Sequence, residues 1–355
     1  MTREPDPAAA DPTRPGETTG PTAQPEAKDI VRRIILLLVT GVALYLVLPS
    51  LSAVFGAWPR LATLSPLWLI IGLLAEVGSF TCGFGTQRIV LRSRRWFAVV
   101  TAGLAGNAVT NTLPGGDAAG AAVQFRMLSA AGVNTDTAAG GLAASSLLGI
   151  GGLLLLPVLS LPTVVGSPRI NHTLESAALI GVAGFLVYLG LGSVLLRTEK
   201  PLRALAKAGQ WIWNKVRRPH PRQKGLDDRL VRQRNEIRQA LGKEWRQVFV
   251  LVVGRLGLDY LCLLAALRAT GSQPRIWLVL LAYSAAGVIA LFPVTPGGLG
   301  IVEASLSGLL VLAGVKSGSA VVATLAYRLD QYWLPTLAGA VAYGLFRKRY
   351  RGALA

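Results

Sequence analysis

The sequence predicts an all-α polytopic membrane protein built as an inverted-topology repeat with two re-entrant helical hairpins. Three observations lead there. The chain of 355 residues is 52% hydrophobic and only 15% charged, with a mean hydropathy of +0.49, too apolar for a soluble domain. Several apolar runs reach the ~20 residues that cross a bilayer as a helix. Finally, the motif Pro114-Gly115-Gly116, followed by Ala131-Gly132-Val133, returns 182 positions later without a gap. Its second copy reads Pro296-Gly297-Gly298, followed by Ala313-Gly314-Val315.

Residues 1–29 carry six prolines and no apolar run, the composition of a disordered cytosolic tail. They lack the ordered charged and apolar regions of a signal peptide. Ile34–Phe55 follows Lys28, Arg32 and Arg33 and reads as a first span that starts inside. A second span covers Pro66–Gly85. Phe97–Leu113 follows, breaks at Pro114 and resumes as Asp117–Ala131. Spans are expected at Thr135–Leu161 and Leu174–Leu196, then a basic cytosolic loop over 197–246, then a span at Gln247–Leu267. Ile276–Val294 breaks at Pro296 and resumes as Ile301–Ala313. Ala320–Phe346 is the last span. The transmembrane domain is therefore 30–346, with a basic cytosolic C-terminus at 347–355.

Charge orients these segments. The formal charge of +18 would suit a nucleic-acid binder, but its distribution argues otherwise. Between Arg197 and Arg246 there are 15 Lys/Arg against 5 Asp/Glu, and four Arg fall within 88–95. Arg347, Lys348, Arg349 and Arg351 close the chain. All lie at span ends that can share one side, as the positive-inside rule requires, where they also attract anionic lipid. With both termini cytosolic, Phe97–Ala131 must enter and leave from the inside, and Ile276–Ala313 from the outside. Each hairpin is flanked by one span before and one after, running oppositely in the two halves. Paired Gly/Pro breaks at corresponding positions are a pointer to a transporter's binding site.

Ionisable residues within apolar spans cost about 2.5–3.5 kcal/mol each on the insertion scale and so become site candidates. Here they are Glu76, Asp117, Asp259, Glu303, Asp330, Arg126, Arg255 and Arg328. The hairpin glycines Gly115, Gly116, Gly297, Gly298 and Gly300 join them, because bare backbone N–H groups can meet an anion. Asp117 either caps a half-helix or faces a cavity. Arg126 either snorkels or holds a phosphate. Glu303 beside glycines suits a cation, a proton or a basic headgroup. Arg255 and Asp259, at i and i+4, either pair on one face or meet a ligand. Arg328 either neutralises Glu303 or Asp117, or clamps a phosphate with its fork.

Other chemistry is scarce. His172 and His220 lie in loops, and no metal spacing, phosphate-binding loop or nucleophile elbow appears. No metal or cofactor is expected. Cys82 and Cys262 sit in apolar spans, say nothing about redox compartment, and are expected to form no disulfide. Trp211, Trp213 and Trp245 suggest an interfacial amphipathic segment in the basic loop.

The stretch from Pro293 to Glu303, with Ala313-Gly314-Val315, Tyr327-Arg328-Leu329 and Tyr332-Trp333-Leu334-Pro335, resembles the lysylphosphatidylglycerol synthase transmembrane region, a flippase-like membrane family. Pro114-Gly115-Gly116-Asp117 is similar to the family's Gly-acid motif. The resemblance implies a protein that moves an anionic or aminoacylated phospholipid between leaflets. The family often has Arg three residues after the Gly-acid pair, where this chain has Gly120. It also tends to carry an Arg/Asp pair after the first hairpin, where Ser145-Ser146 stand. Its best-known members also carry a large cytosolic aminoacyl-transferase domain, which is not expected in this chain.

The expected function is thus a lipid transporter of the plasma membrane rather than an enzyme, with membrane lipids as its partners. It could also form a homo-oligomer or serve a separate lipid-modifying synthase. The alternative, a glycosyltransferase-like membrane enzyme, would need an outer-loop acid. The expected outer loops (56–65, 162–173 and 268–275) contain no Asp or Glu.

Overall fold

The computed structural model describes residues 64–113, 116–165, 172–197, 226–291 and 295–351. The tail, the Ile34–Phe55 span, Pro114, Gly115 and the loop tryptophans Trp211 and Trp213 lie outside the described residues. Every regular element described is helical. In chain order these are α1 (Pro66–Val90), α2 (Trp96–Thr112), α3 (Gly116–Ala130), α4 (Thr135–Val165), α5 (His172–Arg197) and α6 (Leu226–Ala269). The second half continues with α7 (Ile276–Ala290), α8 (Ile301–Leu312), α9 (Ser317–Arg328) and α10 (Leu334–Arg349). Three stretches among the described residues are long and apolar enough to cross a membrane: Pro66–Val90, Thr135–Ser160 and Glu244–Ala269.

Two segments gain detail. The basic region 197–246 is not irregular throughout, because α6 begins at Leu226 and runs to a kink at Glu244. Residues 226–241 contain no Gly or Pro and are rich in Arg, Leu and Gln, all good helix formers. Nor is the last span one regular helix. A π turn at Leu329–Trp333 separates α9 from α10, and the Leu334 N–H reaches back to the Leu329 carbonyl. Pro335 follows, has no N–H to give and accounts for the local change of register.

The internal repeat is visible in the backbone. Ala130 and Leu312 end α3 and α8, and Thr135 and Ser317 start α4 and α9; each pair is 182 positions apart. Gly132 has φ +82° and Gly314 has φ +93°, the left-handed conformation that closes a helix with glycine. Around Gly132, Ala131 N donates to Met127 O at 2.9 Å, Gly132 N to Ser129 O at 2.9 Å and Val133 N to Leu128 O at 3.0 Å. Around Gly314, Ala313 N donates to Leu309 O at 2.9 Å, Gly314 N to Val311 O at 2.9 Å and Val315 N to Leu310 O at 3.0 Å. The two turns are the same structure written twice.

The halves also pack as a two-fold relation demands. α1 packs along α6, its own counterpart, and does so antiparallel. Gly72 faces Ala265, Gly78 faces Leu258 and Gly85 faces Leu251. α2 packs on α3, and α7 on α8. α2 also packs on α10, while α7 packs on α4, so each half lends its last helix to the other's hairpin. The cores follow suit. Leu156 of α4 joins the second half's apolar cluster, and Phe346 of α10 is fully buried in the first half's. Small residues permit these close crossings: a Cβ on Gly339 would land on the Leu104 carbonyl oxygen and on Ala108.

Candidate functional site

Between the halves lies a cavity of about 550 Å³. Its wall is assembled from helices of both halves, and that wall sorts the expected site residues. Glu76, Arg255, Asp259, Gly297 and Arg328 line it. Gly116, Asp117, Arg126, Gly298, Gly300, Glu303 and Asp330 do not, and Gly115 is outside the described residues. Asp117, in the first turn of α3, and Arg126 are exposed on the helix surface. Gly116 is spent on packing, because a Cβ there would collide with the backbone of Thr110. Gly120 is similarly tight against Thr110 and Gly106, so this crossing has no room for a long side chain at position 120.

Arg328 is engaged through all three of its nitrogens. Its Nε lies 2.8 Å from Glu303 Oε1, one terminal nitrogen donates to Gln331 Oε1 at 3.0 Å and the other to the Gly297 carbonyl at 3.0 Å. Its guanidinium carbon sits 4.4 Å from the Tyr332 ring centre. Glu303 in turn accepts from the Gly300 N–H through Oε2 at 2.6 Å, closing the first turn of α8. Arg328 therefore neutralises Glu303 and fixes the Gly-rich tip. Gly297, at φ +54°, must stay glycine, because a Cβ there would strike the Tyr332 ring. The Tyr332 hydroxyl donates to the Asn111 carbonyl at 2.7 Å, and Asn111 Nδ2 donates to Thr336 Oγ1 at 2.8 Å. These bonds tie the π turn and α10 to α2 of the first hairpin, while Arg328 ties the same region to the second hairpin's tip at Gly297.

The repeat shows why the space exists. At the 182-residue offset, Glu303 corresponds to Ala121 and Arg328 to Ser146, and both small residues line the cavity. The second half holds an ion pair where the first half holds two short side chains.

Arg255 does not pair with Asp259. The Asp259 carboxylate is taken instead by the Tyr283 hydroxyl and by the Tyr327 hydroxyl at 3.0 Å. Among the described residues Arg255 has neither an ion pair nor a hydrogen bond. Its side chain runs past Gly83, whose added Cβ would sit 3.5 Å from Arg255 Cδ, and on toward Gly149. Glu76 is 3% exposed, and its Oε2 has no hydrogen-bond partner. Asp330 leaves the cavity for the α1–α6 seam, where Cys262 Sγ lies 3.8 Å from its Oδ2. Cys82 and Cys262 are both free thiols.

Sequence reasoning missed the uncharged polar lining. Gln87, Asn107, Asn111, Gln124, Ser145 and Ser146 all face the cavity. Gln124 Nε2 donates to Gln87 Oε1 at 2.9 Å, while Asn107 Nδ2 is buried without a partner. A signal was present in the Asn107–Asn111 spacing of four within an apolar segment, which puts two amides on one helix face.

An all-helical, multi-pass membrane protein with a polar cavity between two repeat halves is the class these features define. Within that class, the family model for the lysylphosphatidylglycerol synthase TM region matches residues 34–339, and the chain belongs to that family. It is also similar to UPF0104 membrane proteins. One from Methanothermobacter thermautotrophicus is 33% identical over 101 residues, 27% of this chain and 29% of the relative. A second from that organism is 28% identical over 203 residues, 55% of this chain and 57% of the relative. One from Pyrococcus horikoshii is 41% identical over 63 residues, 18% of this chain and 19% of the relative. The chain thus spans less than two thirds of the length of each of these relatives.

Proposed function

We propose that the protein is a flippase-like lipid transporter, moving a phospholipid or lipid-linked headgroup between leaflets through the cavity while the acyl tails stay in the bilayer. The observation that carries this reading is Arg255, a guanidinium that lines the cavity and makes no hydrogen bond or ion pair among the described residues. An arginine fork matches phosphate oxygens bidentately, and phosphate is the group that diacylglycerophospholipids and lipid-linked precursors share. The amide and hydroxyl lining offers the rest of a headgroup replacements for water.

The hairpins fit the same reading. Their arms are 17 and 15 residues in the first hairpin and 15 and 12 in the second, short of the ~20 that cross a bilayer. In this reading each hairpin re-enters from one face, the first from the cytosol and the second from outside, with both tips near the midplane. Irregular backbone at that depth is tolerated where it lines a cavity or is buried in protein. The halves then rock about the α1–α6 seam to expose the cavity alternately. The reading places the protein in the plasma membrane with cytosolic termini and gives it no catalytic role. A separate lipid-modifying enzyme would supply the lipid.

Purified protein in liposomes carrying a fluorescent phospholipid tests this. Wild type is expected to expose inner-leaflet lipid to an external quencher, Arg255→Ala to slow that exposure at least tenfold, and Arg255→Lys to retain part of it. Equal rates for wild type and Arg255→Ala would overturn the reading.

A further inference from the structure

Between α1 and α6 the cavity wall carries more acid than base. Glu76 on α1 faces Asp259 and Arg255 on α6. Asp330 of the π turn and Cys262 of α6 stand nearby, as do Tyr283 of α7 and Tyr327 of α9. That sets two carboxyls, Glu76 and Asp259, beside one guanidinium in the cavity wall, with Asp330 further along the seam at Gly72. Asp259 is provided for, since two tyrosine hydroxyls solvate it. Glu76 is not: it is 3% exposed, and among the described residues its Oε2 meets no donor. A buried carboxyl without a donor, beside a second carboxyl, is a place for positive charge.

The size of that charge follows from the neighbours. Among the described residues no group of three or more His, Cys, Asp or Glu is placed to hold a metal ion. Two carboxylates with Arg255 beside them lack one positive charge. We propose that Glu76 and Asp259 form a binding site for one monovalent cation, a proton or a sodium ion, and that its occupancy couples lipid movement to an ion gradient. This rests on the transport reading and adds its energy source.

The location suits coupling. Glu76 and Asp259 lie on α1 and α6, the two counterpart helices at the seam between the halves, and Tyr283 and Tyr327 link Asp259 to α7 and α9. A cation bound between Glu76 and Asp259 draws α1 and α6 together; an empty site sets two negative charges against each other across the same seam. Occupancy therefore favours one packing of the halves over another, which is what a coupling ion must do. The site also adjoins Arg255, so a headgroup phosphate and the cation meet in one cavity and offset each other's charge.

Liposome experiments compare, within each protein, the rate of lipid movement with and without an imposed gradient, one set with protons and one with sodium. For wild type the ratio should rise severalfold under one of the two gradients, and the responding ion names the cation. In Glu76→Gln the ratio should fall to one. A wild-type ratio of one under both gradients, or a Glu76→Gln protein that keeps the wild-type ratio, would overturn the coupling site. A second measurement needs no lipid movement: the unfolding temperature of detergent-purified protein across pH and sodium concentration. Cation-linked stabilisation is expected in wild type and lost in Glu76→Gln and Asp259→Asn. Identical responses in all three proteins would sink the site. Absence of lipid movement from wild type without any gradient would instead count against the transport reading, leaving the binding measurement to judge the cation site.

Discussion

Arg328 was open to two readings in the sequence, and its surroundings select one. Three nitrogens are engaged by Glu303, Gln331 and Gly297, and the fourth face lies on Tyr332. Removing one partner of such a buried pair leaves the other uncompensated, at a cost of about 3 kcal/mol. Arg328→Ala should therefore lower the unfolding midpoint in detergent, and the double change Arg328→Ala/Glu303→Ala should recover part of the loss. A double variant no more stable than the single would refute the pairing. Asp259 behaves differently, because its two donors share the work. Tyr283→Phe and Tyr327→Phe should each cost about 1.5–3 kcal/mol, the range for hydrogen bonds to charged groups, read by the same midpoint. The sequence exposed both residues as buried charges and offered Glu303 as one partner of Arg328, but it gave no sign of the others. Tyr283, Tyr327 and Gly297 are distant in the chain, and none of them announces a contact.

At the scale of elements, most of the helix plan was legible, since apolar length and the Pro-Gly-Gly breaks mark it directly. The departures have local causes. Helix-favouring Arg and Leu extend α6 backwards to Leu226, and Pro335 sets the π turn, which hydropathy cannot register. The paired turns after α3 and α8 give a quantitative check. Alanine in the left-handed region costs about 1–2 kcal/mol, so Gly314→Ala should destabilise by that amount, with nothing within 4 Å of its new methyl. Gly132→Ala should cost more. Its Cβ would sit 3.1 Å from an Arg95 terminal nitrogen, and Arg95 donates to the Ala131 carbonyl at that turn. Comparing thermal midpoints of the two variants checks the order. Equal losses would mean that Arg95 gives way freely.

For the whole molecule, a polar cavity between the hairpins was expected from the paired breaks, but most of its lining was not legible. Ser145-Ser146 stood out only as a departure from the family's Arg/Asp pair, and Ala121 not at all, until the structure set Ala121 and Ser146 in the cavity wall as the short counterparts of Glu303 and Arg328. The membrane arrangement can be checked with single cysteines introduced after Cys82 and Cys262 are replaced. Ser93→Cys and Asn134→Cys should react with an impermeant thiol reagent from one side, Ser272→Cys and Lys316→Cys from the other. Thr295→Cys, at a hairpin tip, should not react from the side opposite its hairpin's base. Free labelling there would mean arms that cross completely.

The antiparallel seam of α1 on α6 has a consequence for ancestry. A helix that packs against its own counterpart, and last helices that swap hairpins, are the contacts of a symmetric dimer fused into one polypeptide. A half-length precursor inserted in both orientations could have assembled the same scaffold with two identical subunits. Such a dimer would be bound to hold the same residues in both halves. Joining the copies released that constraint: one half kept its ion pair, and the other was free to become a hole.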